Sequence, residues 1–188
     1  IRIGILGDIS SGKSYVAKNF GYPVFNADHE VSEIYKKNKK IFYKLNKILP
    51  KYITIFPINK SEVTNAILSN KNNLKKIIKI VHKEISFKMQ LFIKKNKYKK
   101  IVILDIPLLL ENKINNKKDI LVFVEAKKQD IKKNLKKRIN FNHKLYKKFK
   151  KIQFSPRYKK KKSDFVIKND FTKKTVAKSI KNILGKIL

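Results

Sequence analysis

The apolar residues of this chain fall into two kinds of run. Short continuous ones, rich in isoleucine and valine, stand at 2–6 (RIGIL), 100–106 (KIVILDI) and 119–126 (DILVFVEA). Such runs are too short for helices and lack alternation, which predicts strands buried on both faces of a parallel sheet. PVFNAD at 23–28 and DFVIKN at 164–169 read as two further strands. The other kind is periodic, with apolar residues at i, i+3 and i+4, which predicts amphipathic helices. It covers 13–20, then most of 30–96, where 31–49 reads as one stretch, 61–68 opens on a candidate cap at Ser61, and 74–95 is the longest. Helices are also predicted over 130–138, 141–153 and 172–188. Strands alternating with helices define an α/β chain with a parallel sheet of about five strands. YKKKK at 158–162 is the strongest charge run and reads as a solvated loop.

At 188 residues the chain can bury one real core and carry a small insertion. It has no cysteine, which removes disulfides and thiolate metal sites, and His29, His82 and His143 are scattered without ligand spacing. IVILDIPLLL, the longest apolar run, is half a membrane span and carries Asp105, so no membrane partner and a cytoplasmic location are expected. The net charge of +35 invites a nucleic-acid reading. Yet only Arg2, Arg138 and Arg157 among the 48 basic residues are arginine, the residue that reads phosphates and bases with a fork. Two readings of the lysines stay open: background drift of solvated faces, or a general attraction for anions. No specific nucleic-acid partner is expected.

The chemistry begins at GDISSGKS, residues 7–14, between the first strand and the first helix. Gly7, four residues, Gly12, Lys13 and Ser14 satisfy the pattern of a phosphate-binding loop, in the right context on both sides. The backbone N–H groups of Asp8, Ile9, Ser10, Ser11, Gly12, Lys13, Ser14 and Tyr15 would face the phosphates, helped by the helix N-terminus. Lys13 would reach the β- and γ-phosphates and Ser14 would hold magnesium. Asp8 puts a carboxylate in an anion site. It is expected to point outward, the other reading being that it orients a second-substrate hydroxyl or a magnesium-bound water. Asp28, at the end of the second strand, is either an acid–base residue or a helix cap. A strand ending in Asp105 suits a carboxylate that holds magnesium through water. Pro107 interrupts regular structure after it, Glu111 follows, and at least two of Leu108, Leu109 and Leu110 are expected in the core.

These stretches together resemble the dephospho-CoA kinase family. The resemblance is carried by GDISSGKS, PVFNAD, KIVHKEI at 79–85, DIPLLLE at 105–111, and Gln153 followed by SDFVIKN ending at Asn169, in order along nearly the whole chain. It implies a three-layer P-loop kinase fold and the ATP- and magnesium-dependent phosphorylation of the ribose 3′-hydroxyl of dephospho-CoA, in a monomer or weak homo-oligomer. By the resemblance, 1–30, 97–137 and 159–188 form the nucleotide-binding core, 31–96 a helical acceptor-binding insertion and 138–158 a lid. Lys13, Asp28 and Arg138 would be catalytic, Asp28 as base and Arg138 as a lid arginine on the transferring group. His82, Asp105, Pro107, Leu108 and Glu111 would lie with Asp28 at the acceptor, and Asn169 near the adenine.

Several residues depart from the pattern. The family loop usually reads GGIGSGKS, so Asp8 and Ser10 each replace glycine, and Ser10 is tolerable only if its backbone is not left-handed. Asn26 replaces the first acid of DAD and Lys83 the proline of HP, while Lys60 and Asn134 stand where arginine is common. Another P-loop kinase of a small hydroxyl compound, or a basic nucleic-acid-binding protein, remain as alternatives.

Overall fold

A computed structural model describes residues 1–138 and 141–188. The chain divides into two compact units. The first, residues 1–26, 96–141 and 150–188, is built on five parallel strands: β1 (Arg2–Gly7), β2 (Val24–Asn26), β3 (Val102–Asp105), β4 (Ile120–Glu125) and β5 (Phe165–Lys168). They pair in the order β2-β3-β1-β4-β5. Gly4 lies opposite Leu104 on one side and Leu121 on the other. β1 is thus central, with the chain passing to opposite sides of it. In open α/β sheets such a switch point, at the carboxyl ends of the strands, is where ligands bind.

The three central strands are the apolar runs, buried almost throughout, whereas β5 at the edge buries only Ile167. One face of the sheet is covered by α1 (Lys13–Asn19) and the C-terminal helix, Lys173–Ile187. Val16, Ala17, Val176, Ile180 and Ile183 close there on Ile3, Ile5, Ile103 and Val122. On the sheet's other side Gly4 has a packing role. A Cβ there would stand 2.5 Å from Leu109 Cδ2 and 3.0 Å from Leu121 Cδ2. Leu109 fills that place and is fully buried, while Leu108 and Leu110 are only half-buried, so one of the three leucines enters the core rather than two. The cause is local: residues 107–113 form turns rather than strand, and only the middle leucine reaches β1.

The second unit, residues 27–95 and 142–149, is helical. It holds α2 (Ala27–Lys37), α3 (Lys39–Ile48), α4 (Lys60–Ser69) and α5 (Asn73–Lys95). Leu74, Ile77, Val81, Ile85 and Met89 line the buried face of α5 at helical spacing. The periodic stretch 31–49 is two helices, because Asn38 Oδ1 accepts from Ile41 N (3.0 Å) and starts a new one. α4 starts from Asn59, whose side chain accepts from Ser61 N (3.0 Å), and not from Ser61. The same unit contains the first residues of α7 (His143–Ile152), which follows α6 (Lys128–Lys136).

The lysine run at 158–162 departs from expectation. Pro156–Lys161 is a helix, α8, capped by Ser155 and carrying proline at its start, and Lys159 within it is buried. The C-terminal helix is α9. Among the described residues no helix is long and apolar enough to cross a membrane.

Candidate active site

β1 delivers the loop GDISSGKS to the carboxyl edge of the sheet, and α1 begins within it, at Lys13. The Asp8 carbonyl accepts from Ser11 N (3.2 Å) and from Lys13 Nζ (2.8 Å), closing the loop and folding the lysine over it. Gly12 is left-handed, φ 90°, and a Cβ there would meet Asn169 Nδ2 at 2.3 Å. Only glycine suits the position on both counts. Asn169 is buried and fully engaged: its amide nitrogen donates to the Ser11 carbonyl (2.9 Å) and its oxygen accepts from Phe171 N (2.9 Å). It braces the loop from the end of β5. Ser14 and Tyr15, on the first turn of α1, are exposed, and Ile9 is half-buried.

Ser10 overturns an expectation. Its φ is 64°, in the left-handed region that the sequence argument held it must avoid. A non-glycine residue there costs about 1–2 kcal/mol. The Ser10 and Ser11 hydroxyls are buried and have no hydrogen-bond partner among the described residues. Ser10→Gly is therefore expected to stabilise the chain by about 0.5–1 kcal/mol, the relief exceeding the entropy glycine adds to the unfolded state. A urea melt with an unchanged slope and a higher midpoint would show this; a lower midpoint would contradict it.

Asp8 is turned to a cation. Both carboxylate oxygens meet Lys150 Nζ at 2.5 Å, from the last turn of α7, and Oδ1 also accepts from Ile9 N (2.7 Å). At the end of β3, Asp105 is buried and its Oδ2 accepts from Asn26 Nδ2 (2.7 Å). An acid at 26 would have set two carboxylates against each other, so Asn26 leaves Asp105 a single charge. Past Pro107, Glu111 is a buried ion-pair residue. Its Oε1 takes Lys159 Nζ (2.8 Å) and Phe154 N (2.9 Å), while Oε2 has no hydrogen-bond partner among the described residues.

The structure places Lys13, Ser14, Asp105, Glu111, Asn169 and Arg138 in the sheet unit, and Asp28 and His82 in the helical one. Asp28 lies in the first turn of α2 and is exposed. Burial lowers the His82 pKa below its ordinary value, and among the described residues its Nε2 has no hydrogen-bond partner. Arg138 is exposed just past α6; residues 139 and 140 of the lid span 138–158 lie outside the described residues.

A family model described as dephospho-CoA kinase matches residues 1–175. The chain belongs to the dephospho-CoA kinase family. Curated dephospho-CoA kinases from Wolbachia pipientis wMel and from the Wolbachia of Brugia malayi are 32% and 30% identical, each over 98% of this chain and 97% of the relative. The crystal structure of TT1252 from Thermus thermophilus superposes with a TM-score of 0.77 at 23% identity, covering 100% of this chain and 98% of that one. A dephospho-CoA kinase from Campylobacter jejuni gives 0.65 at 20%, covering 99% and 96%. At those identities the superpositions carry the fold, which is that of the P-loop kinases.

This dephospho-CoA kinase family member thus uses ATP as its phosphoryl donor. For the nucleotide, the residues fit: a glycine cradle that a Cβ would fill, two buried hydroxyls without partners among the described residues and an ammonium on a neutral carbonyl. Among the described residues no group of three or more His, Asp or Glu side chains could hold a metal. Lys150 and Lys159 escaped the sequence reading because each is one lysine among many. Ser155-Pro156 was the signal that could have found α8.

Proposed function

We propose that the chain transfers the γ-phosphoryl group of ATP to the ribose 3′-hydroxyl of dephospho-CoA, giving coenzyme A and ADP in the cytoplasm, where ATP is available. The observation that carries the reading is the loop itself: backbone amides ordered by Gly12, with Lys13 folded above them, in a chain matched by one family along its length. The hydroxyl oxygen attacks the γ-phosphorus, the bond to the β,γ-bridging oxygen breaks, and ADP leaves with the electron pair. Asp28 orients the hydroxyl and takes its proton. Lys13 and the loop amides hold the triphosphate, and Arg138 meets charge as it develops on the transferring group.

Ser14, directly, and Asp105, through water, would hold magnesium, which neutralises phosphate charge when bound. The buried, singly charged Asp105 supports that role. Residues 31–96 bind the acceptor, with His82 among the residues that meet it, and 138–158 act as a lid. Asn169 acts by holding the Ser11 carbonyl, which supports a place beneath the nucleotide.

Coupled measurement of ADP release, with ATP and magnesium, tests the reading. Release should be negligible with ATP alone and rise steeply with dephospho-CoA. Faster release with a nucleoside or a small cyclic alcohol would remove the acceptor assignment. Release that ignores all acceptors would remove the kinase step itself.

A further inference from the structure

A carboxylate in a phosphate loop needs an explanation, and the structure supplies one. The loop is shaped to attract anions, yet its second residue is Asp8. An unpaired carboxylate about 5 Å from a phosphate, at an effective dielectric near 20, weakens binding on the order of a hundredfold. Here the charge is met by Lys150, whose ammonium contacts both carboxylate oxygens. The Ile9 N–H fixes the same carboxylate from the other side, and the Asp8 carbonyl holds Lys13. Asp8 therefore gathers two ammonium groups at the mouth of the loop.

We infer that Lys150 is a positioning residue for the nucleotide: it neutralises and fixes Asp8 so that the loop can accept a triphosphate, and the two residues act as one unit. The inference rests on the loop's being a nucleotide site. The geometry gives the pair its mutual dependence. Without Lys150 the carboxylate faces incoming phosphates uncompensated. Without Asp8 no carboxylate among the described residues holds the long lysine side chain at the loop, and glycine at 8 leaves no charge to cancel. The pair is partly exposed, 37% for Lys150 and 19% for Asp8, so solvent screens the effect and about a tenfold change is expected.

The test is a calorimetric titration of the full chain with ATP at moderate salt, with circular dichroism confirming that each variant folds. Lys150→Ala should bind ATP about tenfold more weakly than wild type. Lys150→Arg, which keeps the charge, should stay within about threefold. Removing both partners, Asp8→Gly with Lys150→Ala, should also return affinity to within about threefold. Lys151→Ala, which removes the same charge one residue away, should leave affinity within about twofold. Should Lys150→Ala not fold, Lys150→Gln carries the same expectations. Lys150→Ala binding like wild type overturns the inference. So does a double variant as weak as Lys150→Ala, because Lys150 would then act on the phosphates without Asp8. So does equal weakening in Lys151→Ala, which would reduce the effect to bulk charge. A wild-type chain that takes up no ATP removes the nucleotide reading and the inference with it; wild-type binding beside an unchanged Lys150→Ala removes the inference alone.

Discussion

Lys13→Ala and Asp28→Asn are each expected to lower turnover at least a hundredfold, about 2.7 kcal/mol in the barrier, while the chain stays folded. Lys13 rests on a neutral backbone carbonyl at 2.8 Å, an acceptor that a triphosphate with several negative charges readily outcompetes. Its loss removes an ammonium from the place where charge moves during transfer, and preorganised charge is usually a large term in catalysis. Folding should hardly notice, since one such hydrogen bond is worth about 1 kcal/mol net. Asp28→Asn keeps the volume and the helix position and removes the negative charge together with the ability to take a proton. The two variants should differ in binding: calorimetry should show ATP affinity falling in Lys13→Ala and persisting in Asp28→Asn. Turnover within about tenfold of wild type in both would discard this mechanism.

The parts of the site that were legible in the sequence are those fixed by neighbours in the chain. The phosphate loop is one: two glycines, a lysine and a serine at set spacing, between an apolar run and a helix, leave little freedom. The buried strands are another, because Val102–Asp105 and Ile120–Glu125 are apolar on both faces and must be covered on both. What stayed hidden depends on partners far off in sequence. Asp8 and Lys150 are 142 residues apart, and nothing near either one names the other. Glu111 meets Lys159 in the same way, which turned a lysine expected in solvent into a buried residue. Ser10 is a second kind of miss, since the loop's closure imposes a left-handed residue that glycine spacing alone did not mark. Asn38 is a third: apolar periodicity ran through it, but its side chain offered the backbone a competing hydrogen bond and ended one helix to begin the next.

Lys159→Ala should destabilise the chain by about 3–5 kcal/mol, a cost typical of orphaning one partner of a buried ion pair. Lys159 is 2% exposed and Glu111 7% at the side chain, with 2.8 Å between Nζ and Oε1. Gln153 Oε1 accepts a second bond from the ammonium at 3.1 Å, and Phe154 N donates to the carboxylate at 2.9 Å. The cluster ties the turn after β3 to the segment leading into α8. Removing the lysine leaves a buried carboxylate with one backbone donor and Oε2 still unpartnered. Against a total stability of about 5–15 kcal/mol for a typical domain, that loss leaves the fold marginal. Replacing both charges, Glu111→Leu with Lys159→Met, should recover most of it, since neither desolvated charge remains. Urea denaturation of the wild type, both single variants and the double variant measures the coupling directly. A Lys159→Ala chain within about 1 kcal/mol of wild type, or a double variant as unstable as the two single losses summed, would show that the pair does not hold this region together.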